Sequence, residues 1–371
     1  MREIRATWMR GGTSKCWVFE RDVLAVPGRS VDEVLLRLYG SPDPRQIDGI
    51  GGATSTTSKA VVLARSDRPD VDVEYTFAQI GIADGRVDWT SNCGNCSAVV
   101  GPYALKRGWV VPTGEVTTVR INNTNTGQLI VVDVPTPSGQ VTEQGGDHIP
   151  GVVHPGLGVR LWFVDPAGRT TGALLPTGGA VDMVDGVRVT MIDAGAPVVL
   201  VPADEVGADG EASPAALDAQ EDLLGRLERI RRIAAVRMGL AADPAEAARA
   251  IPKIALVSAG RPERSDVTVR MLSMGRTHPA LAITGSVALT AAAHTPGTVL
   301  SQFVAGEQEV LRLDTPAGVV ATRAGTRDGL LAVGVTRTAR RIGDATLLLP
   351  DLPDNEVPEP SSVTLVAASA A

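Results

Sequence analysis

Apolar positions in the first third of the chain alternate at strand period, switch once to helical spacing, and return to strand period. Ile4, Ala6 and Trp8 alternate with Arg5, Thr7 and Met9, and Cys16-Trp17-Val18-Phe19 resumes the extended pattern after Gly11-Gly12, which predicts a strand-to-strand turn at Thr13-Ser14-Lys15. Val31, Val34, Leu35 and Leu38 then share one helical face, opened by a Ser30/Glu33 capping box and closed by Gly40. Pro42 and Pro44 lead to a second glycine loop, Gly51-Gly52, after which strands are predicted over 60–63, 71–82 and 87–89. A helix of small residues is expected over 97–105, with Lys106, Arg107 and Gly108 ending it. Pro102 costs about 3 kcal/mol inside a regular helix, so a kink or a short first segment is expected there. A hairpin over 116–134 turns around Asn122 to Gly127, and 161–164 reads as another strand.

Near Pro176-Thr177-Gly178-Gly179 the pattern restarts. Strands at 187–192 and 198–201 flank a glycine loop. A long amphipathic helix over 214–239 carries Leu217, Leu223, Leu224, Leu227 and Ile230 on one stripe, and strands at 254–257 and 267–272 precede a small-residue helix over 279–293. The same order of elements thus occurs twice, which suggests two similar α+β units facing each other.

At 371 residues the chain has material for two cores, and an aromatic fraction of 3% makes them cores of Val, Leu, Ala and Ile. A net charge of -7 argues against a nucleic-acid partner but leaves room for a small anion, since a few donors in a cleft override the average. The start lacks a signal-peptide pattern, and the longest apolar region, 280–293, is interrupted by Thr284, Gly285 and Ser286, so a cytoplasmic protein without membrane contact is expected. Three cysteines are too few for a disulfide framework.

Two of four lysines, Lys15 and Lys59, close the same tripeptide Thr-Ser-Lys behind a Gly-Gly pair, in a chain where nearly every other basic residue is arginine. Unlike guanidinium, an amine can lose its proton, so a retained lysine is a candidate acid-base group. The plainer reading is a solvated strand end. Five hydroxyl residues between Ala53 and Lys59 could converge donors on a ligand, but the order Ser-Lys excludes a P-loop, which requires Lys before Ser or Thr.

In Asn92-Cys93-Gly94-Asn95-Cys96 a loop enters a helix, where free N-H groups and the helix dipole favour a thiolate and bind anions. A redox pair, half a zinc site and two small buried residues are the competing readings. The first two lack a second cysteine pair or a histidine at finger spacing. No metal site is expected.

At these residues the chain resembles the PrpF family of methylitaconate, methylaconitate and oxalomesaconate isomerases, which has the diaminopimelate epimerase fold. The resemblance rests on Met9 to Lys15, Gly49 to Gly52 with Thr57-Ser58-Lys59, Asn92 to Asn95 with Val100-Gly101-Pro102, Pro252 to Leu256, Met274 to Ala280 with Thr284-Gly285, and Arg337 to Arg341. It implies an α+β fold of two similar domains, each a mixed sheet wrapped around a long central helix, with the active site in the cleft between them. The domains are expected at 1–182 and 183–354, with 355–371 returning to the first. Related epimerases face two thiols across that cleft, whereas the second half here offers no cysteine.

The resemblance further implies a cofactor-independent isomerase that moves a double bond in an unsaturated di- or tricarboxylate. Lys59 would be the base, kept neutral by desolvation and by the positive potential of Lys15 and the helix start. Cys93 would return the proton or only line the site. Ser14, Thr57, Ser58, Asn92 and the backbone of Gly94 and Asn95 would hold carboxylates, and Arg276 and His278 would fix the far one, His278 having a capping role before Pro279 as its alternative. A non-catalytic tricarboxylate-binding accessory protein and a thiol-dependent amino acid epimerase are the alternative functions. Small anionic carboxylates are the expected partners; a homodimer is compatible with the sequence, which does not fix the oligomeric state.

Overall fold

The computed structural model describes residues 1–351 apart from Ser91 and 305–307, so the expected return of 355–371 lies outside the described residues. The first half runs β1 (Arg2–Gly11), β2 (Ser14–Glu20), α1 (Val31–Tyr39), β3 (Lys59–Arg65), β4 (Val73–Ile80), β5 (Val87–Asp88), α2 (Gly94–Ser97), α3 (Val100–Lys106), β6 (Val116–Asn123), β7 (Gln128–Pro135) and β8 (Leu157–Val164). The second runs β9 (Asp182–Val184), β10 (Val187–Ala194), β11 (Ala196–Pro202), α4 (Pro214–Asp218), α5 (Glu221–Arg237), β12 (Lys253–Ala259), β13 (Val267–Ser273), β14 (Arg276–Thr277), α6 (Ile283–Ala293), β15 (Val310–Thr315), β16 (Gly318–Arg327) and β17 (Leu330–Leu349).

The pairing order recurs. β2 runs parallel to β3, which pairs antiparallel with β4, and β4 pairs with both β5 and, in parallel, β6. In the second half β11, β12, β13, β14 and β15 repeat those relations in the same senses. The twenty-residue strand β17 joins the halves: Ala332 to Ala339 pair with β8, and Ala339 to Leu349 pair with β1.

Local chemistry sets the helix ends. The Ser30/Glu33 capping box forms at α1, with Ser30 Oγ accepting from the Glu33 N-H at 3.2 Å, and Gly40 closes the helix at φ 71°. The expected helix over 97–105 is two short helices, and Pro102 is the third residue of α3, where no intrahelical bond is lost. The expected single helix over 214–239 is divided. α4 is capped by Ser213 and its end is tied sideways by the Thr277 N-H donating to Asp218 at 2.9 Å; Gln220 leaves helical geometry before α5 begins. The helix expected from 279 starts only at Ile283, with Ala282 in extended geometry (φ -70°, ψ 118°) immediately before it.

The helix inside the wrapped sheet is not the long one, contrary to the expectation. α5 is amphipathic and lays Leu223, Leu227 and Ile230 on the outer face of the second-half sheet, against Met191, Val199 and Leu256. The enclosed helix is α6, whose residues 283–290 are all buried, and α2 with α3 take its place in the first half. Strand alternation divides the cores. In β3, Ala60 and Val62 face the cluster under α1, while Val61 and Leu63 face the central one; in β12, Ile254 and Leu256 face α5, while Ala255 and Val257 face the centre. Lys59 and Lys253, the first residues of these strands, therefore share the face that looks into the centre.

Candidate active site

Where the N-termini of α2 and α6 approach each other, a cavity of about 50 Å³ opens, lined by Ser14, Lys59, Gln79, Asn92, Cys93, Gly94, Asn95, Lys253, His278 and Thr284 among others. Glycine permits the approach. A Cβ on Gly94 would lie 2.9 Å from Ile283 and 3.0 Å from Phe163. On Gly12, at φ +51°, it would stand 2.0 Å from Asn95 Oδ1, so the first Gly-Gly pair is a seat for the α2 turn.

Lys59 is buried at the start of β3. Its Nζ donates to Gln79 Oε1 at 2.7 Å across the β3–β4 pairing and lies 4.8 Å from the centroid of Phe77. Gln79 is oriented by its own donation from Nε2 to Ser58 O at 2.8 Å. The hairpin turn predicted around Asn122 buttresses this wall: Asn125 brackets Phe77 through both backbone groups, and Asn123 donates to Asn92 Oδ1 at 3.4 Å. Asn92 is buried in the cavity wall with its Nδ2 donor unpartnered, a group that a ligand acceptor would satisfy.

Lys253 reaches the cavity from the second half. It is as buried as Lys59, and its Nζ donates to Ala250 O at 3.2 Å. Burial lowers its pKa to about 8, and Lys59 adds to the lowering, partly opposed by Cys93 and Asp88. His278 is driven to about 4 by burial and by both lysines. Its Nδ1 accepts from the Ala280 N-H at 3.0 Å, which leaves Nε2 to carry the proton of the neutral ring.

Cys93 caps α2, and its Sγ accepts from the Cys96 N-H at 3.4 Å. Tyr75 and Ser97 hydroxyls both donate to its carbonyl at 3.1 Å, fixing the turn. The expectation of a thiolate is not met. A hydrogen bond shared with the Cys96 thiol and burial push the Cys93 thiol well above its ordinary value, outweighing Lys59 and the N-H of a four-residue helix. Cys96, fully buried, is the packed residue of the pair.

Four expected residues stand elsewhere. Lys15 lies on the opposite face of β2 from Ser14 and places its ammonium 4.9 Å from the Trp8 ring centroid, Trp8 itself stacking on Trp17. Ser58 is saturated by donating to Ile80 O and accepting from Gln46, and Thr57 bonds within its own loop to Thr54, leaving Ser55 as the loop hydroxyl at the cavity. Arg276 is exposed on β14. Lys253 and Gln79 were missed by sequence reasoning, although laying the two halves over each other places Lys253 on Lys59. Among the described residues no group of three His, Cys, Asp or Glu side chains is placed to hold a metal, and no helix is long and apolar enough to cross a membrane.

The repeated pairing order and the enclosed helices belong to a fold that is shared with solved racemase-type structures. A structure described as a probable proline racemase from Agrobacterium radiobacter K84 shares that fold with a TM-score of 0.58 at 15% identity, over 94% of this chain and 93% of its own. The chain belongs to the PrpF protein family, whose model matches residues 1–350. It is 42% identical over 345 residues to the 4-oxalomesaconate tautomerase of Pseudomonas putida, covering 92% of this chain and 94% of the relative. The crystal structure of a methylitaconate-delta-isomerase superposes with a TM-score of 0.78 at 35% identity, over 93% of this chain and 95% of its own. The protein is accordingly an isomerase.

Proposed function

We propose that the protein moves a carbon-carbon double bond by 1,3-proton transfer in an unsaturated di- or tricarboxylate, without a cofactor, at the cavity between the two helix N-termini. The observation that carries this reading is the charge of the lining. Lys59 and Lys253 face one small cavity with no Asp or Glu among its described lining residues, which suits a multiply charged anion. Lys59 is the base. It takes a proton from the carbon beside a carboxylate, and the electron pair spreads into a dienolate. The N-H groups at the starts of α2 and α6 and the free amide donor of Asn92 bear that charge. A proton then goes to the carbon two positions away. Cys93, held as a thiol, is the donor; its thiolate recovers a proton from solvent as Lys59 releases one, so the sum is an isomerisation.

The names of the relatives set the substrates to try first, oxalomesaconate and methylitaconate, with methylaconitate and aconitate beside them. A symmetric two-thiol epimerase is disfavoured, because the position that corresponds to Cys93, the cap of α6, is Ala282. Proton NMR in heavy water with this panel of acids tests the reading. Isomerisation with deuterium entering at the new C-H, lost in Lys59→Ala, is expected. Binding without exchange would instead mean an accessory binder, and full turnover by Lys59→Ala would remove the base.

A further inference from the structure

The recurring strand order gives Lys59 a counterpart. Lys59 opens β3, parallel to β2 and antiparallel to β4, and Lys253 opens β12, parallel to β11 and antiparallel to β13. Gln79 pairs with Lys59; Ile254 pairs with Leu272, so the next step of that register sets Ser273 beside Lys253. Cys93 caps α2 where Ala282 caps α6. All six residues line the cavity. The second half thus keeps a lysine but has lost the thiol and the amide that accompany its first-half counterpart. It has a cation without the acid-base company.

Charge accounting says what that cation is for. The substrate proposed above carries at least two carboxylates, and the base must meet it as a neutral amine. The described lining holds no arginine, and Arg276 is exposed outside it. Lys253 is then the remaining side-chain cation that can face a carboxylate. We propose that Lys253, as an ammonium, binds a carboxylate of the substrate from the second half of the chain, holding the acid against Lys59. Its surroundings allow this. Facing it are Lys59 on β3, Cys93 at α2, His278 after β14 and Asp88 on β5. From its other side a cavity of about 460 Å³ brings Glu228, Arg231, Arg232 and Arg249, with Glu228 committed to Arg231 and Arg232. Among the described residues no carboxylate is bonded to its Nζ, which donates to the Ala250 carbonyl, so a ligand carboxylate meets an ammonium not neutralised by an ion pair with any of them.

The inference rests on the carboxylate reading of the site, and a binding experiment separates the two. Calorimetry with propane-1,2,3-tricarboxylate, a saturated triacid that cannot isomerise, is run on Lys59→Met, where one cavity lysine remains to titrate. Binding should weaken about tenfold per pH unit once the pH exceeds the Lys253 pKa, which removal of the Lys59 charge moves upward from about 8. In Lys59→Met/Lys253→Met it should be at least about tenfold weaker at pH 7 and flat from pH 7 to 10. In otherwise native enzyme, Lys253→Met should raise KM more than it lowers kcat. Equal affinity in the two variants overturns the proposal while leaving Lys59 as base untouched. Should the double variant fail to fold, pH-independent binding by Lys59→Met alone overturns it. No triacid binding by either variant, with no turnover of any acid by the native enzyme, sinks the carboxylate reading itself.

Discussion

Lys59 Nζ donates to Gln79 Oε1 at 2.7 Å, and the amide that accepts it is turned the right way round by donating from its other end to Ser58 O. A neutral acceptor holds the amine in place without the charge that would stabilise ammonium. Gln79→Glu replaces it with a carboxylate at the same spot, and an opposite charge within about 4 Å favours the protonated lysine. The variant should lose turnover by about tenfold or more at neutral pH. Turnover equal to that of the native enzyme would show that the neutral amide is not needed beside the base.

Cys93 is a buried thiol sharing a hydrogen bond with Cys96, and its pKa lies well above the ordinary thiol value. Alkylation requires the thiolate. Inactivation by iodoacetamide should therefore be slow at pH 7 and rise by about tenfold per unit through pH 9 without levelling. A plateau below pH 8 would mean a thiolate, and with it a different donor for the returning proton. Cys93→Ser, which keeps a proton on a group of similar shape, should leave measurable activity.

The first half of the site was legible because its signals are local. A capping box, two glycine pairs and a Cys at a helix start fall within a few residues of the groups they position, and Asn92, Cys93, Gly94, Asn95, Ser14 and Lys59 do meet at one cavity. Lys15 looked equivalent to Lys59 because it closes the same tripeptide, but strand alternation turns it to the other face, onto Trp8. Lys253 was passed over because Ile-Pro-Lys lacks the glycines and hydroxyls around Lys59; only the pairing of β11, β12 and β13 makes the two lysines counterparts. The long helix misled for a related reason. Amphipathic spacing marks a helix with one wet face, whereas the enclosed helix α6 is buried all round and has no such stripe.

Gly12 combines two constraints that can be measured apart. It sits at φ +51°, and an added Cβ would fall 2.0 Å from Asn95 Oδ1, whose side chain accepts from the Thr13 N-H and donates to Leu281 O. Gly28 has a similar φ of +73° but nothing within 4 Å of its Cβ position. Gly28→Ala should therefore cost only the backbone strain, about 1 kcal/mol. Gly12→Ala should cost about 2 to 4 kcal/mol and depress kcat/KM, since the displaced Asn95 lines the cavity. Urea unfolding of the two variants at pH 7.5 gives the comparison, and equal midpoints would mean that Asn95 yields freely.

His278 makes stability fall on acidification in a defined window. Its pKa is about 4 in the folded protein against about 6.5 in an unfolded chain, because burial and the charges of Lys59 and Lys253 oppose a third cation. Above pH 6.5 the ring is neutral in both states and contributes no slope. Between pH 6.5 and 4 the unfolded chain takes up a proton that the folded protein refuses, so unfolding is favoured as pH drops. Below 4 both states are protonated and the loss levels off. The slope is about 1.4 kcal/mol per unit, or about 3 kcal/mol over the window. His278→Asn keeps an acceptor for the Ala280 N-H, whose bond to Nδ1 is 3.0 Å, and has nothing to titrate. The difference in unfolding free energy between native and variant protein should shift in favour of the variant by about that amount from pH 7 to 4, the other histidines cancelling in the subtraction. A difference that stays constant with pH would place the His278 ring outside the field of the two lysines.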